Sequence, residues 1–322
     1  MVEFDFFYPI SRELDIIEED LSKHIDTNVS LLMNASTHLV KAGGKRLRPA
    51  FTLLTAKLYS NDLEDVIPMA VALELIHMAT LVHDDVIDNS DTRRGADTVK
   101  KNWGNRLSLY SGNFVFARSL SLIASYNRSD LVDVLADASM RICEGEIYQM
   151  LSSYNTEQSL KDYLRRIERK TALLISVSCQ LGAMIKNAKK EEVLAIQRYG
   201  YYLGMAFQIT DDILDFIADE QTLGKPTGSD IRQGVITLPA LFALKHDSRK
   251  KELKYLLTSP ELCQRQADRI IDIVTNSHGI DYAYNVTNKY SIKAKEQLRL
   301  LPNCELKDTL ASLTDFISAR DF

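Results

Sequence analysis

The segment VIPMAVALELIHMATLVHDDVID, residues 66–88, decides the fold class. Up to Val82 it is apolar on nearly every side rather than along one stripe, which predicts a helix buried in the centre of the protein. Elsewhere apolar residues recur every three or four positions, as Leu14, Ile17 and Leu21 do, and this is the period of an amphipathic helix. We therefore predict an all-α fold in which amphipathic helices surround a few buried ones, as in a helical bundle.

Few helix-breaking residues and no linker interrupt the chain. Gly 13 and Pro 7 together make up about half the usual share for a chain of 322 residues. The breakers gather at 43–49, 89–105, 152–156 and 224–239, which we interpret as functional loops. We predict a single domain over residues 1–322, large enough to bury a substantial core.

The charge and cysteine content exclude several classes of protein. Lys and Arg number 39 against 44 Asp and Glu, a net charge of −5, whereas a general nucleic-acid binder needs a basic excess. Four scattered cysteines without a CxxC pair predict neither a zinc site nor a disulfide framework. The N-terminus lacks the basic cluster of a signal peptide, and no apolar run reaches the roughly 20 residues of a membrane span. We therefore expect a cytoplasmic protein with no membrane span and no nucleic-acid partner.

An acidic cluster, HDDVID, ends the buried segment. Asp84 and Asp88 are four positions apart, so on a continuing helix they share one face with their Cβ atoms roughly 5–6 Å apart. Two carboxylates at that spacing repel each other unless a cation lies between them. Mg²⁺ binds proteins through one or two carboxylates and keeps its other positions for water and phosphate oxygens. With Asp85 between them, these residues form a candidate metal site.

The same DDxxD pattern returns at Asp211, Asp212 and Asp215, again after an apolar stretch. A single copy of the pattern is more often an acidic helix end on the protein surface. Two copies at the ends of two core helices favour a metal site, because six carboxylates in one cavity are very costly without cations.

Two basic clusters provide the opposite charge. GGKRLRP, residues 43–49, places three cations before Pro49, and proline is favoured at the start of a helix, whose N-terminus binds anions. Arg93 and Arg94 follow the first acidic motif, and arginine matches phosphate oxygens bidentately. Taken alone, a basic cluster is more often solvated surface. Together with the two acidic motifs, these clusters indicate two phosphorylated substrates, one held through Mg²⁺ and one held by cations directly.

Several further residues have both a structural and a functional interpretation. His77 lies two turns before the first motif and could be a hydrogen-bonded core histidine. Gln208 lies one turn before the second motif, and an amide in an apolar segment needs a partner. Lys170 belongs to a charged run, and Thr171 could cap the apolar helix that we expect to open there. The loop LGKPTGSDIRQGVITLP, 223–239, could be a lid over bound anions or an ordinary connection.

The sequence resembles the trans-isoprenyl diphosphate synthases, also called polyprenyl synthetases, over nearly its whole length. The resemblance rests on the ordered motifs GGKRLRP, HMATLVHDDVID, Arg93-Arg94, Lys170-Thr171, FQITDDILD and LGKP. Within the family it is most similar to the large catalytic subunit, component II, of Gram-positive bacterial heptaprenyl or hexaprenyl diphosphate synthases, particularly in YLRRIERKTALLISVSCQLGA. The resemblance implies an isoprenoid-synthase-type all-α bundle around a deep central cavity, and a Mg²⁺-dependent prenyltransferase.

The resemblance also implies roles for individual residues. About three Mg²⁺ ions on the allylic diphosphate would be held by the carboxylates of both motifs, namely Asp84, Asp85, Asp88, Asp211, Asp212 and Asp215. Isopentenyl diphosphate would be bound by Lys45, Arg48, His77 and Arg94. The allylic diphosphate site would include Arg93, and the reacting region would be lined by Lys170, Thr171, Gln208 and Lys225. A dry pocket would let the allylic cation meet the isopentenyl double bond before water does.

The resemblance implies that product length depends on the residues one turn before the first motif. Large aromatic residues four or five positions before the first Asp block the growing chain in this family, and here those positions are Thr80 and Ala79. Small residues there could simply permit close helix packing. We predict a long product, roughly C30 to C40 and preferably heptaprenyl diphosphate, built on farnesyl diphosphate as a menaquinone side-chain precursor. A shorter, geranylgeranyl product is the alternative.

Partners and competing functions also follow from the resemblance. Similarity to component II implies a heterodimer with a small non-catalytic component I subunit, although a homodimer is the commoner form in the family. Since a polyprenyl product is lipid-like, peripheral membrane contact for product release is a further expectation. A class I terpene cyclase has a first DDxxD motif but needs no second diphosphate site, and a non-catalytic regulatory subunit would have lost metal carboxylates that this chain retains.

Overall fold

The computed structural model describes residues 6–93, 95–218 and 227–318, and it confirms the all-α prediction. The helices are α1 (Ser11–His24), α2 (Ser30–Lys41), α3 (Leu47–Lys57), α4 (Ile67–Ile87), α5 (Val99–Ala124), α6 (Ser129–Ser152), α7 (Leu160–Ile167), α8 (Leu173–Ile185), α9 (Lys190–Ile217), α10 (Ser229–Arg232), α11 (Leu238–His246), α12 (Lys250–Leu256), α13 (Pro260–Arg265), α14 (Ala267–Thr275), α15 (Gly279–Leu298) and α16 (Glu305–Ser318). A short 3₁₀ helix (Tyr8–Ile10) precedes α1, and a π-helical turn (Glu168–Ala172) joins α7 to α8.

Extended structure in these residues is limited to one small hairpin. Strands β1 (Thr92–Arg93) and β2 (Ala96–Asp97) pair antiparallel, with Thr92 opposite Asp97. Within the described ranges, no helix is both long enough and apolar enough to span a bilayer. All four cysteines are free.

The chain forms two compact units, each assembled from three stretches of sequence. The first comprises the described residues of Met1–Ala136, Val177–Gln197 and Pro302–Thr309. The second comprises those of Asp137–Ser176, Arg198–Leu301 and Leu310–Phe322. The single-domain prediction for residues 1–322 concerns the arrangement of these units and stays a prediction.

The first unit is organised around α4. Helices α1, α3 and α5 all pack against α4, and α2 packs against α5. The first half of α4 is buried on every side, as the sequence predicts, because apolar neighbours cover its whole circumference. Small residues of α5, including Ser108, Ser111 and Gly112, allow this helix to approach closely. A Cβ atom on Gly112 would lie 2.5 Å from Nε2 of His83, so α5 lies close against α4 beside the first acidic motif.

The second unit has a core of its own, in which α11 packs against α7, α12, α14 and α15. The apolar side of α9, with Met205, Ile209 and Ile213, lies in the same core as Tyr163 of α7. The start of α7 is fixed by a capping box between Ser159 and Asp162, in which each side chain bonds the other residue's backbone N–H.

Two helix starts differ from the sequence prediction. Helix α3 begins at Leu47 rather than at Pro49, so Arg48 lies within its first turn. Proline is tolerated there because the first turn of a helix has no intrahelical acceptors for its N–H groups. Thr171 does not cap α8, which begins at Leu173, but lies inside the π-helical turn. Propensity did not indicate this turn, which widens the helix by one residue where Thr171 and Lys170 are found.

Candidate functional site

The first acidic motif lies in the last turn of α4. Asp88 is exposed and Asp84 is half-buried, whereas Asp85 is 4% exposed. The Nε of Arg93 donates a 2.7 Å hydrogen bond to Oδ1 of Asp85. Burial raises the pKa of Asp85 above its ordinary value, although the charge and hydrogen bond of Arg93 oppose the rise. Asp85 therefore anchors the hairpin that carries Arg93, while its two neighbours in the motif keep contact with solvent.

A partly exposed stripe runs along α4 behind the first motif. His77, Thr80, Leu81 and Asp84 are half-buried and recur every three or four residues, so they share one face of the helix. Thr80 donates its hydroxyl proton to the backbone oxygen of His77 at 2.8 Å. Ala79 is buried beside this stripe. Of the two predicted chain-length positions, Thr80 is therefore the one that lies on the face of Asp84.

The basic loop before α3 divides its cations between the interior and the surface. Lys45 is exposed and Arg48 is half-buried, but the guanidinium of Arg46 turns inward. Arg46 pairs with both oxygens of Glu18, and its Nη1 donates to Oε1 of Glu74 at 3.0 Å. The side chain of Glu74 is 2% exposed. Because Glu74 belongs to α4, this pairing ties the loop to the helix that carries the first acidic motif.

The backbone conformation of Arg46 also indicates that the interactions of its side chain hold the loop in place. Its φ of 47° lies in the left-handed region, which is unfavourable for an L-residue with a side chain. Nη1 and Nη2 of Arg46 also donate to the carbonyl oxygens of Gly43 and Val40 at 3.4 and 3.3 Å. The interactions of one guanidinium therefore hold the loop in a strained shape, with Lys45 and Arg48 on either side of it.

The second acidic motif, in α9, has a different environment from the first. Asp211 is exposed, but Asp212 is 3% and Asp215 is 1% exposed. Oδ2 of Asp215 accepts from the backbone N–H of Asp230 at 3.1 Å, and the backbone oxygen of Asp215 accepts from Gly228 at 2.7 Å. Asp215 therefore holds the segment that begins α10.

Asp212 is the centre of a buried hydrogen-bond network. Its Oδ1 accepts from Nε2 of Gln208 at 2.8 Å, and its Oδ2 accepts from the hydroxyl of Tyr163 at 2.7 Å. Burial and the charge of Asp230 raise the pKa of Asp212, while both hydrogen bonds and the charge of Arg166 oppose the rise. Thus two donors and one nearby cation compensate a carboxyl group that has lost its water.

Thr171 and Lys170 of the π-helical turn have separate partners. The hydroxyl of Thr171 donates to Oε1 of Gln208 at 2.5 Å, which connects the turn to the second motif. Nζ of Lys170 donates to Oε1 of Gln149 at 3.1 Å and lies 3.7 Å from a carboxylate oxygen of Glu146. Of the candidates in the second unit, the structure thus brings together Thr171, Gln208 and Asp212.

Two predicted site residues, Arg94 and Lys225, lie outside the described residues. Residues 223–226 of the glycine-containing loop lie outside them as well, whereas residues 227–239 are described. In its described part, Arg232 pairs with Asp268 at 3.3 Å and donates to the backbone oxygen of Gln264.

The donor set of the acidic motifs fits a hard cation. In the described ranges, no group of three or more His, Cys, Asp or Glu side chains is arranged to hold a metal ion by itself. Mg²⁺ needs only one or two carboxylates when phosphate and water supply its other ligands. Asp84, Asp88 and Asp211 are the motif carboxylates that keep contact with solvent, and oxygen is the ligand atom that Mg²⁺ prefers.

Sequence reasoning missed several residues that support the site. Tyr163 and the pair Arg46 and Glu74 are buried, and their partners are distant in sequence. An indirect signal existed for Tyr163, since a polar amide at Gln208 in an apolar helix implies a polar neighbour. No local pattern indicated which cation of the basic loop would turn inward.

Comparisons with known proteins bear on this site. A family model described as polyprenyl synthetase matches residues 29–274. Heptaprenyl diphosphate synthase component 2 of Geobacillus stearothermophilus is 44% identical over 97% of this chain and 97% of that protein. The crystal structure of heptaprenyl diphosphate synthase from Staphylococcus aureus is 39% identical, with a TM-score of 0.90 over 97% of this chain and 98% of that one. A Caulobacter crescentus polyprenyl synthase, crystallised with calcium and isoprenyl diphosphate, is 33% identical, with a TM-score of 0.91 over 96% and 95% of the two chains.

Substitution of Arg46 by Gln should destabilise the protein, whereas the neighbouring Lys45→Gln should not. Arg46→Gln leaves Glu74 buried without its cation, whereas Glu18 can turn to solvent. We therefore expect a loss of about 2–4 kcal/mol in the free energy of unfolding. Urea unfolding followed by circular dichroism measures both variants. Equal unfolding midpoints for the two variants would contradict a buried role for Arg46.

Proposed function

The chain belongs to the polyprenyl synthetase family and is a trans-prenyl diphosphate synthase, and on this premise we propose that it is a long-chain enzyme. It adds isopentenyl diphosphate units to an allylic diphosphate, preferably farnesyl diphosphate, up to roughly C30 to C40, with heptaprenyl diphosphate as the main product. Such a product serves as a precursor of a menaquinone side chain. The observation that carries the proposal is the partly exposed stripe of α4, which leads from Asp84 to Thr80 without a large aromatic residue.

The allylic diphosphate is assigned to the acidic motifs. Asp84, Asp88 and Asp211 are the accessible carboxylates and would bind about three Mg²⁺ ions together with the diphosphate. When bound, Mg²⁺ supplies positive charge where the leaving pyrophosphate becomes more negative. The calcium and isoprenyl diphosphate in the C. crescentus relative support a divalent cation in this role. The more buried Asp85, Asp212 and Asp215 complete the proposed set of metal carboxylates.

Isopentenyl diphosphate is assigned to the basic side chains, which would bind its diphosphate directly, without a metal ion. Lys45 and Arg48 flank the inward-turned Arg46 at the start of α3, where the helix N-terminus adds positive potential. His77 lies on the partly exposed face of α4, and Arg94 completes the proposed set. Arg93, which contacts Asp85, is assigned to the allylic diphosphate.

The reaction follows from these assignments. The allylic C–O bond breaks as its diphosphate is neutralised, and the isopentenyl double bond attacks the allylic cation. A proton then leaves the new tertiary cation and passes to the departing pyrophosphate. Lys170, Thr171, Gln208 and Lys225 are assigned to the reacting region, where they contact the allylic diphosphate or the developing cation.

The name of a similar protein supports a partner subunit for this chain. The G. stearothermophilus protein is named component 2 of a heptaprenyl diphosphate synthase, which implies that it has a partner component. We propose that this chain likewise reaches full activity with a small non-catalytic subunit. A homodimer is the other assembly considered.

The proposed function is tested by incubating the purified protein with Mg²⁺, labelled isopentenyl diphosphate and farnesyl diphosphate, alone and with a candidate small subunit. Chromatography of the extracted products should give chains of about C30 or longer, and more of them when the subunit is present. A product that stops at C20 would favour the geranylgeranyl alternative. A cyclised or untouched allylic substrate in both incubations would contradict synthase activity.

Removal of one metal carboxylate should abolish turnover without unfolding the protein. Asp84→Asn and Asp211→Asn should each lower kcat by about 1,000-fold, because each removes charge that the departing pyrophosphate requires. The exposed Asp133 of α6 provides a matched control, and Asp133→Asn should retain normal kcat. Near-normal turnover in both motif variants would contradict the mechanism.

Replacement of Thr80 should shorten the product. Thr80→Phe places a large ring on the accessible face of α4, and we expect products shorter by one or more isoprene units with a normal unfolding temperature. Ala79→Phe forces the same ring into a packed core instead and should cost about 1–3 kcal/mol of stability. Product chromatography and thermal unfolding separate the two effects. Unchanged product length in Thr80→Phe would exclude this face as the path of the growing chain.

A further inference from the structure

Four polar side chains of the second unit form one continuous hydrogen-bonded chain. Tyr163 of α7 bonds Asp212, Asp212 bonds Gln208 one turn earlier on α9, and Gln208 bonds Thr171 of the π-helical turn. The three successive distances are 2.7, 2.8 and 2.5 Å. Tyr163 is fully buried, so water does not compete for its hydroxyl.

The direction of each hydrogen bond in this series follows from Asp212 when it is ionised. As a carboxylate it accepts at both oxygens, from the hydroxyl of Tyr163 and from the NH₂ group of Gln208. The carbonyl oxygen of the amide then faces Thr171, which can only donate to it. A hydroxyl has one proton, and Thr171 donates that proton to Gln208. Any group that meets the remaining surface of the Thr171 oxygen therefore meets lone pairs.

The packing around Tyr163 and Thr171, the two ends of this hydrogen-bonded series, resists rearrangement. The guanidinium of Arg166 lies 5.4 Å from the centre of the Tyr163 ring, and it donates to the side chain of Gln158 and the backbone oxygen of Ile236. At the other end, a Cβ atom on Gly204 would lie only 2.6 Å from Cα of Ala172, next to Thr171. The π-helical turn thus rests directly on the backbone of α9, with Thr171 fixed against Gln208.

We infer that Tyr163 is a positioning residue for prenyl transfer, which acts through Asp212 and Gln208 to turn the oxygen lone pairs of Thr171 toward the allylic cation. This inference rests on the proposed function. A lone pair directed at a developing cation stabilises it, whereas a proton in the same place would oppose it. Without the Tyr163 hydroxyl, one oxygen of Asp212 is no longer held and the carboxyl group can turn about its Cβ–Cγ bond, away from Nε2 of Gln208. The Gln208 amide then loses the partner that fixes its orientation, and Thr171 can redirect its proton.

The first test compares Tyr163→Phe with Tyr199→Phe. Tyr199 is an equally buried tyrosine of the same unit. Its hydroxyl donates to the backbone oxygen of Leu310 at 2.9 Å and does not belong to the hydrogen-bonded series of Tyr163. Both variants lose one buried hydroxyl, so thermal unfolding should shift to a similar extent. Only Tyr163→Phe should lower kcat, by about tenfold or more, while KM for both diphosphates changes less than about threefold.

The second test is a double-mutant cycle with Thr171, measured as the single-turnover rate of pyrophosphate release. Thr171→Val removes the lone pairs, so Tyr163→Phe should cost less than about twofold in that background. Thr171→Ser keeps the hydroxyl, so Tyr163→Phe should cost the same factor there as in the wild-type protein. These results support Tyr163 acting through Thr171.

Two outcomes overturn the inference while leaving the proposed function intact. One is a kcat for Tyr163→Phe that equals that of Tyr199→Phe. The other is an equal loss from Tyr163→Phe in the wild-type and Thr171→Val backgrounds, which indicates a structural role. If the wild-type protein elongates no allylic diphosphate, the proposed function itself is wrong and the inference is overturned with it.

Discussion

The burial of α4 is the constraint on which the first unit depends. An apolar helix surrounded on every side cannot move without opening cavities in its neighbours, so whatever is attached to it has a fixed position. Two ion pairs make such attachments: Arg46 with Glu74 holds the basic loop, and Arg93 with Asp85 holds the hairpin. The candidate anion-binding groups therefore take their positions from one buried helix. The charges that fix them are separate from the charges that face solvent.

The two acidic motifs illustrate how one sequence pattern can serve two purposes. Consecutive residues on a helix point about 100° apart, so Asp84 and Asp85 cannot both face the same side. The geometry assigns one carboxylate to solvent and the other to the interior in each pair. The fifth position then differs between the motifs, because Asp88 is exposed whereas Asp215 is covered by the segment that begins α10. The repeat in sequence is not a repeat in environment.

The buried polar groups of the second unit compensate one another electrostatically and fix one another's orientation. A carboxyl group such as Asp212 is expensive to bury, and it persists only with donors and a nearby cation to compensate for lost water. Those donors, Tyr163 and Gln208, also acquire a fixed orientation in return. A buried charge can thus set the direction of hydrogen bonds one residue further away. Such a network contributes orientation to a reacting region even where its net contribution to stability is small.

The sequence by itself determined the all-α class, the buried helix that ends in an acidic motif, the second motif and the basic loop. These features follow from periodicity and composition within short segments, which are local properties. Only the tertiary structure decided that Arg46 turns inward, that Asp212 and Asp215 are buried, that Thr80 and not Ala79 shares a face with Asp84, and that Tyr163 completes the chain to Thr171. Burial and hydrogen-bond direction depend on neighbours that are distant in sequence, such as Tyr163 and Asp212, and no local pattern specifies them.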